Sequence, residues 1–295
     1  MQKPLCIVIA GPTAVGKTAL SIELARHFNC YILSADSRQC YKELSIGVAR
    51  PSAEELAAAP HYFIASHSIE EEITAAFYER YALQVTEEVF QKDKVLIVVG
   101  GTGLYLKAFL EGLDQIPAID PEIRSNLNAA YEEKGMEWLQ LTLKEEDPEY
   151  YASGEIQNPQ RMLRALEVKR GTGHSIRSFQ VQQKAERNFD VVKFCVDMDR
   201  ELLYERINQR VLNMLEQGLV EEVRSLLPYR HLNALNTVGY AEIFDYLDGS
   251  ISLDRAVELI QRNTRHYAKR QMTWFRKEGY VFGGREVILE KCGEL

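Results

Sequence analysis

Leu5-Cys-Ile-Val-Ile-Ala-Gly-Pro-Thr-Ala-Val-Gly-Lys-Thr18 is the stretch that decides the fold. Its first six residues form an unbroken apolar run bounded by turn formers, the pattern of a strand buried on both faces. Gly11–Thr18 then fits G-x-x-x-x-G-K-[ST], and Ala19, Leu20, Ile22, Leu24 and Ala25 continue with helical spacing. A glycine-rich loop between a strand and a helix is the context that a phosphate-binding loop requires. Glycines let successive N–H groups curl round an anion, and the helix N-terminus adds positive potential. Lys17 neutralises phosphate oxygens and Thr18 offers a hydroxyl to Mg²⁺. The expected phosphate-binding set is therefore Gly11, Thr13, Ala14, Val15, Gly16, Lys17 and Thr18, with Thr18 the expected metal ligand.

Outward from this loop, short strands are expected at 31–34 and 61–65, an amphipathic helix at 74–90, and a second central strand at 95–99. Alternating strands and helices predict a P-loop α/β fold, a doubly wound parallel sheet. The rhythm changes after Gly112: 121–179 carries helical patterns and no strand. A strand returns at 191–196, and Asp199 is placed to cap a helix running to Leu215. The rest reads as helices, ending in a long one over 253–277. The expected organisation is a core of 1–112 and 190–295, with a helical C-terminal region, interrupted by a helical insertion domain at 113–189.

Bulk properties narrow the function. The 295 residues carry a net charge of −8, which argues against a generally basic nucleic-acid binder but not against a local basic surface. Five scattered cysteines with no metal-ligand spacing read as reduced, buried thiols. The leading apolar run is too short for a signal-peptide core or a membrane span, so a cytoplasmic protein is expected.

A phosphate loop by itself suggests nucleotide hydrolysis or phosphoryl transfer. Those chemistries place an Asp at the end of a second apolar strand to hold Mg²⁺. Here that strand runs into Gly100-Gly-Thr102, and Asp93 lies at its wrong end. The suitable acid is Asp36, in Ser34-Ala-Asp-Ser-Arg-Gln39, expected over the same sheet edge as the loop. It is either placed for a substrate beside the phosphates or a helix-cap or turn residue. Between 255 and 277 seven Lys or Arg face one acid, Glu258, a surplus of six in an acidic chain. Arg262, Arg265, Lys269 and Arg276 share a helical face, with Tyr267 and Trp274 interleaved, which favours a phosphate-backbone surface over a solvated face. Arg161, Arg164, Lys169, Arg170 and Arg177 oppose only Glu167 across 160–177.

Six motifs in order resemble the tRNA dimethylallyltransferases (tRNA isopentenyltransferases): 11–18, 34–39, Gly100-Gly-Thr-Gly-Leu-Tyr105, Arg161-Met-Leu-Arg-Ala-Leu-Glu-Val168, Val238-Gly-Tyr-Ala-Glu242 and Thr264-Arg-His-Tyr-Ala-Lys-Arg-Gln-Met-Thr-Trp-Phe-Arg276. The last is far more specific than the phosphate loop. The resemblance implies transfer of a dimethylallyl group from dimethylallyl diphosphate to the N6 amine of the adenosine following the anticodon. By it, Lys17 and Thr18 hold the donor diphosphate and Mg²⁺, Asp36 is the general base, and Arg210 supports the diphosphate, so that Asp36, Thr18 and Arg210 form the catalytic set. It further implies tRNA contacts, to the anticodon loop, at Asp36, Ser37, Arg38, Gln39, Thr102, Arg124, Gln160, Arg161, Arg164, Gly239, Tyr240, Lys269, Arg270 and Arg276. A monomer without membrane attachment is expected. The rival readings are a P-loop nucleotide kinase, an RNA-binding ATPase and a prenyltransferase of free AMP.

Overall fold

The computed structural model describes residues 3–181 and 183–294. Its chain order is β1 (Leu5–Ala10), α1 (Lys17–Phe28), β2 (Tyr31–Ser34), α2 (Ala53–Ala58), β3 (His61–Tyr62), α3 (Ala75–Phe90), β4 (Val95–Gly100) and α4 (Gly103–Glu111). The helices α5 (Pro121–Glu146), α6 (Pro148–Ser153) and α7 (Pro159–Thr172) follow. Then come β5 (Asp190–Val196), α8 (Arg200–Glu216), α9 (Leu219–Ser225), α10 (Tyr240–Leu247), α11 (Leu253–Phe275), β6 (Val281–Gly283) and α12 (Arg285–Gly293).

The strands form one sheet in the order β3-β2-β4-β1-β5-β6, with every neighbouring pair parallel. Side chains alternate across it. Cys6, Val8, Leu33, Leu96 and Val98 enter the core on one face, while Ile7, Ile9, Ile32 and Ile97 enter that on the other. Both faces are apolar, so both are covered by helices. Tyr78, Leu106, Phe109 and Ile243 cover the first face, and Leu20, Leu24, Ile207 and Ile288 the second. The doubly wound parallel sheet expected from the sequence is the architecture observed.

Local chemistry sets the element ends. Thr74 caps α3 by accepting from the Phe77 N–H, and Asp199 caps α8 by accepting from Glu201 and Leu202. The strand expected at 61–65 stops at Tyr62, because Phe63 (φ 64°) and Ala65 (φ 46°) take left-handed backbone conformations that leave the extended path. The C-terminal region is not purely helical: three residues, too few to show periodicity, add β6 beside β5.

The chain divides into two compact units, one running to Leu110 and resuming at Glu186, the other spanning Glu111–Ala185. The second is helical, and each of its three α-helices begins at an acid or amide followed by proline: Asp120-Pro121, Asp147-Pro148 and Asn158-Pro159. The first residue's side chain caps the orphan N–H groups, and the proline occupies a position that lacks an intrahelical donor anyway. Leu127, Leu139, Leu143, Met162, Leu163 and Leu166 form its own core. All five cysteines are free and buried. Among the described residues no helix is long and apolar enough to cross a membrane.

Candidate active site

Because β4 pairs with β1 on one side and β2 on the other, all parallel, the segments leaving β1, β2 and β4 meet at one edge of the sheet. Those segments are the phosphate loop, the Asp36 turn and the Gly101-Thr102 turn. Carboxyl ends of parallel strands are where open α/β sheets bind ligands. The crossing of β2 over β4 is tight: the Ala35 N–H donates to Val99 O (2.7 Å), and Thr102 N–H donates to Ala35 O (3.2 Å). A Cβ on Gly100 would stand 2.2 Å from Ala35 O, so only glycine lets Asp36 be carried over the end of β4. The resulting cavity, of about 1250 Å³, is lined by Thr13, Gly16, Lys17, Thr18, Asp36, Arg210 and Tyr267, among others.

The phosphate loop is held from the far end of the chain. Buried Gln271 of α11 accepts from the Thr13 N–H (3.0 Å) and donates to Gly101 O (2.9 Å), tying the loop to the end of β4. Lys17 Nζ donates to Pro12 O (2.6 Å). Burial pushes the Lys17 ammonium down to about 8, with Arg210 adding to the effect and Asp36 opposing it. An anion at the loop favours the protonated form, so binding takes up a proton near and above pH 8. The affinity for inorganic diphosphate is therefore expected to fall as pH rises from 7 to 9, approaching tenfold per unit above about 8. The comparison is with Lys17→Arg, which keeps its charge while the ligand's own ionisation is unchanged. Equal pH slopes for the two proteins would refute this titration.

Asp36 holds its turn, one of the two roles its sequence context left open. Its Oδ1 accepts from the N–H groups of Arg38 (2.8 Å) and Gln39 (3.1 Å), which fixes the turn and leaves Oδ2 for another partner. Burial lowers the pKa of Arg210, and Asp36 partly offsets this. The Tyr267 hydroxyl is pushed up to about 12, by burial first and by Asp36 second, and it is hydrogen-bonded to the Thr102 side chain. Thr102 Oγ1 also accepts from Ser37 N–H (3.1 Å). Among the described residues no group of three His, Cys, Asp or Glu could hold a metal alone. The Thr18 hydroxyl is a hard oxygen donor that suits Mg²⁺ when ligand phosphates complete its shell.

Several expected contact residues have structural partners. In the second unit Arg124 donates to Gln160 Oε1 (2.7 Å) and to Glu167 (3.0 Å), Arg164 donates to Glu167 (2.8 Å), and Arg161 pairs with Glu155. Arg170 makes a two-bond pair with Glu146 (2.7 and 2.8 Å). The single-sign surface read from 160–177 is thus partly neutralised by acids outside that window. Lys269 and Arg270 of α11 and Arg276 at its C-cap are exposed, but Arg265 turns inward, donates to Asn208 (2.5 Å) and lies over the Tyr204 ring. Tyr240 is fully buried and Gly239 N–H is taken by Glu242, so in this conformation the Tyr240 side chain meets protein on all sides.

Sequence reasoning missed Gln271, although it sits inside the quoted 264–276 motif, and it missed Arg206 and Asn213. With Arg210 and Gln217 these two line the cavity at offsets of 4, 7 and 11 from Arg206, one helical face. That spacing was available as a signal. What faced α8 was not.

The family described as IPP transferase matches residues 39–278. The chain is 52% identical to a tRNA dimethylallyltransferase of Christiangramia forsetii, over 92% of this chain and 90% of that protein. The structure resembles the full-length tRNA isopentenylpyrophosphate transferase of Bacillus halodurans, at 34% identity and TM-score 0.72, covering 99% of this chain and 95% of the other. It also resembles a eukaryotic dimethylallyltransferase captured acting on tRNA, at 26% identity and TM-score 0.78, covering 96% of this chain and 74% of the other.

Proposed function

Since the chain belongs to the IPP transferase family, we propose that it transfers a dimethylallyl group from dimethylallyl diphosphate to the N6 amine of the adenosine following the anticodon in tRNA. The observation that carries the reading is one cavity uniting a complete phosphate loop with Asp36, at a sheet edge where β4 ends in Gly-Gly-Thr instead of a metal-binding acid. Phosphoryl transfer draws no support from that arrangement.

An adenine amine is a weak nucleophile because its lone pair is conjugated into the ring. In the proposed step N6 attacks C1 of the donor as the C1–O bond breaks, the diphosphate leaves with the bonding pair, and the amine proton passes to Asp36. Lys17 and Arg210 stabilise the charge developing on the diphosphate. Thr18 would hold Mg²⁺, which would supply further neutralisation of the same charge. A base stacked in the anticodon loop must be extruded to reach such a pocket. The Asp36–Gln39 turn, Thr102 and Gly239 are assigned to the tRNA side, with Arg124, Gln160, Arg161 and Arg164 of the helical insertion binding the same molecule. The enzyme is assigned as a cytoplasmic monomer. The test is incubation with labelled dimethylallyl diphosphate, Mg²⁺ and total tRNA, followed by nucleoside analysis. Label in N6-dimethylallyladenosine supports the reading, and its absence refutes it.

The exposed cations of α11 are assigned to phosphates. Each such contact releases condensed counterions, so log K falls with log salt by about 0.7–0.9 per contact. Replacing Lys269 and Arg270 together by Ala is expected to flatten that slope by about one to two units. Cognate and non-cognate tRNA should be weakened alike, since phosphate contacts carry no direct sequence information. Arg265 is unsuited to this test, because its replacement would also free Asn208. An unchanged slope would make this a solvated charged face.

A further inference from the structure

The Glu222 carboxylate, in the first turn of α9, is engaged by four donors. They are the backbone N–H groups of Ser45 (3.1 Å), Ile46 (2.7 Å) and Gly47 (3.0 Å) and the hydroxyl of Tyr240 (2.6 Å). Three successive N–H groups converging on one anion make a nest of the sort that elsewhere receives phosphate. Here the anion is the protein's own, from about 175 residues further along the chain. The Tyr240 ring completes the clamp: a Cβ on Gly47 would lie 2.5 Å from it, so only glycine lets the loop approach this closely. Burial, reinforced by Glu222, raises the pKa of the Tyr240 hydroxyl, which therefore stays protonated and donating.

The same loop is held at its other end by Gln39, whose side-chain amide donates to Val48 O (3.1 Å) and Ala49 O (2.9 Å). Between these anchors Ala49 sits at φ 46°, a left-handed conformation that a residue with a Cβ keeps only where its surroundings over-determine it. Ile46, Val48 and Ala49 line the cavity, as do Ile64 and Met214. None of the steps described above uses this clamp.

Resting on the reading of the donor as a prenyl diphosphate, we propose that Glu222 is a positioning residue that fixes the 45–50 loop as the wall limiting the prenyl chain. It thereby sets the chain length the enzyme accepts. The diphosphate end of the donor is held at the phosphate loop, and the reacting carbon must face the amine beside Asp36. The hydrocarbon is left to the apolar lining, which the loop supplies through Ile46 and Val48. On this inference a five-carbon chain lies within that lining. A ten-carbon chain would then have to displace the wall, and a wall pinned by three hydrogen bonds at one end and two at the other resists displacement.

The experiment compares kcat/KM for dimethylallyl and geranyl diphosphate at saturating tRNA in wild type, Glu222→Ala, Glu222→Gln and Ile46→Ala. Glu222→Ala is expected to lower the preference for the shorter donor by about tenfold or more, the scale of discrimination in an apolar pocket. Ile46→Ala should lower it too, by trimming the wall itself. Glu222→Gln, with one oxygen still accepting, should fall between wild type and Ala. A merely structural Glu222 would depress both donors equally and leave the ratio untouched. Should Glu222→Ala fail to fold, Glu222→Gln and Ile46→Ala carry the test. Wild-type transfer with an unchanged ratio in the variants overturns this inference alone. A wild type that transfers neither donor overturns the prenyl-diphosphate reading, and this inference with it.

Discussion

Asp36→Asn should slow prenyl transfer by about 10²–10⁴-fold, the usual contribution of a positioned general base, or about 3–5 kcal/mol of barrier. Asparagine is the more discriminating replacement because Asp36 does two jobs. Its Oδ1 holds the turn through Arg38 and Gln39, and an amide oxygen preserves those two bonds while being unable to take the amine proton. Asp36→Ala removes both, so it should lose at least as much activity and also loosen the 36–39 turn, whose Gln39 amide anchors Val48 and Ala49. The measurement is a single-turnover rate with donor and tRNA both saturating, accompanied by separate binding titrations. The expected pattern for Asp36→Asn is a collapsed rate with affinities changed by no more than a few-fold. A rate near that of wild type would remove Asp36 from the chemistry and leave it a turn residue.

The second large effect is expected at Lys17. Losing a charge-assisted hydrogen bond to phosphate should weaken dimethylallyl diphosphate by roughly 10–100-fold in Lys17→Ala. Loss of charge stabilisation on the leaving diphosphate should further slow transfer by about 10²–10³-fold, as when one preorganised donor is removed. tRNA affinity should be nearly unaffected, since Lys17 lies on the phosphate-loop side of the cavity and points back to Pro12 O. Calorimetry with Mg²⁺ reads the first effect and single-turnover kinetics the second. Donor binding as tight as in wild type would show that the loop does not hold the diphosphate. Catalytic turnover of ATP at a rate matching prenyl transfer would contradict the assignment of the donor as its working ligand.

Much of the fold was legible in the chain because its signals are local. The run at 5–10 is apolar at every position, and a strand buried on both faces needs nothing less. Asp199 and Thr74 mark helix starts through bonds to residues two or three positions on, so the sequence places them without knowledge of the rest. The phosphate loop is likewise a contiguous device: strand, glycine turn, lysine and helix start within fourteen residues.

The sequence led to the expectation that Asp36 shares the phosphate loop's sheet edge, but the rest of the site's assembly was not legible, because it depends on which segments pack side by side. Only the order β2-β4-β1 brings Asp36 and the phosphate loop to one cavity, and only the packed position of α11 sends Gln271 back to Thr13 across 258 residues. The charge windows left out partners on other segments for the same reason. Arg170 is matched by Glu146 on another helix, and Arg265 is drawn to Asn208 on α8, so counting signs along one segment overstated what reaches solvent. The motif around Tyr240 could be matched by its letters, yet its side chain is buried against Glu222 and the 45–47 loop. By itself the sequence determined the elements and the chemical groups, since propensity, capping and phosphate-loop geometry act over a few residues. Tertiary structure alone decided which of those groups face the cavity and which are spent on each other, because a hydrogen bond between distant segments exists only once packing has brought its donor and acceptor within reach.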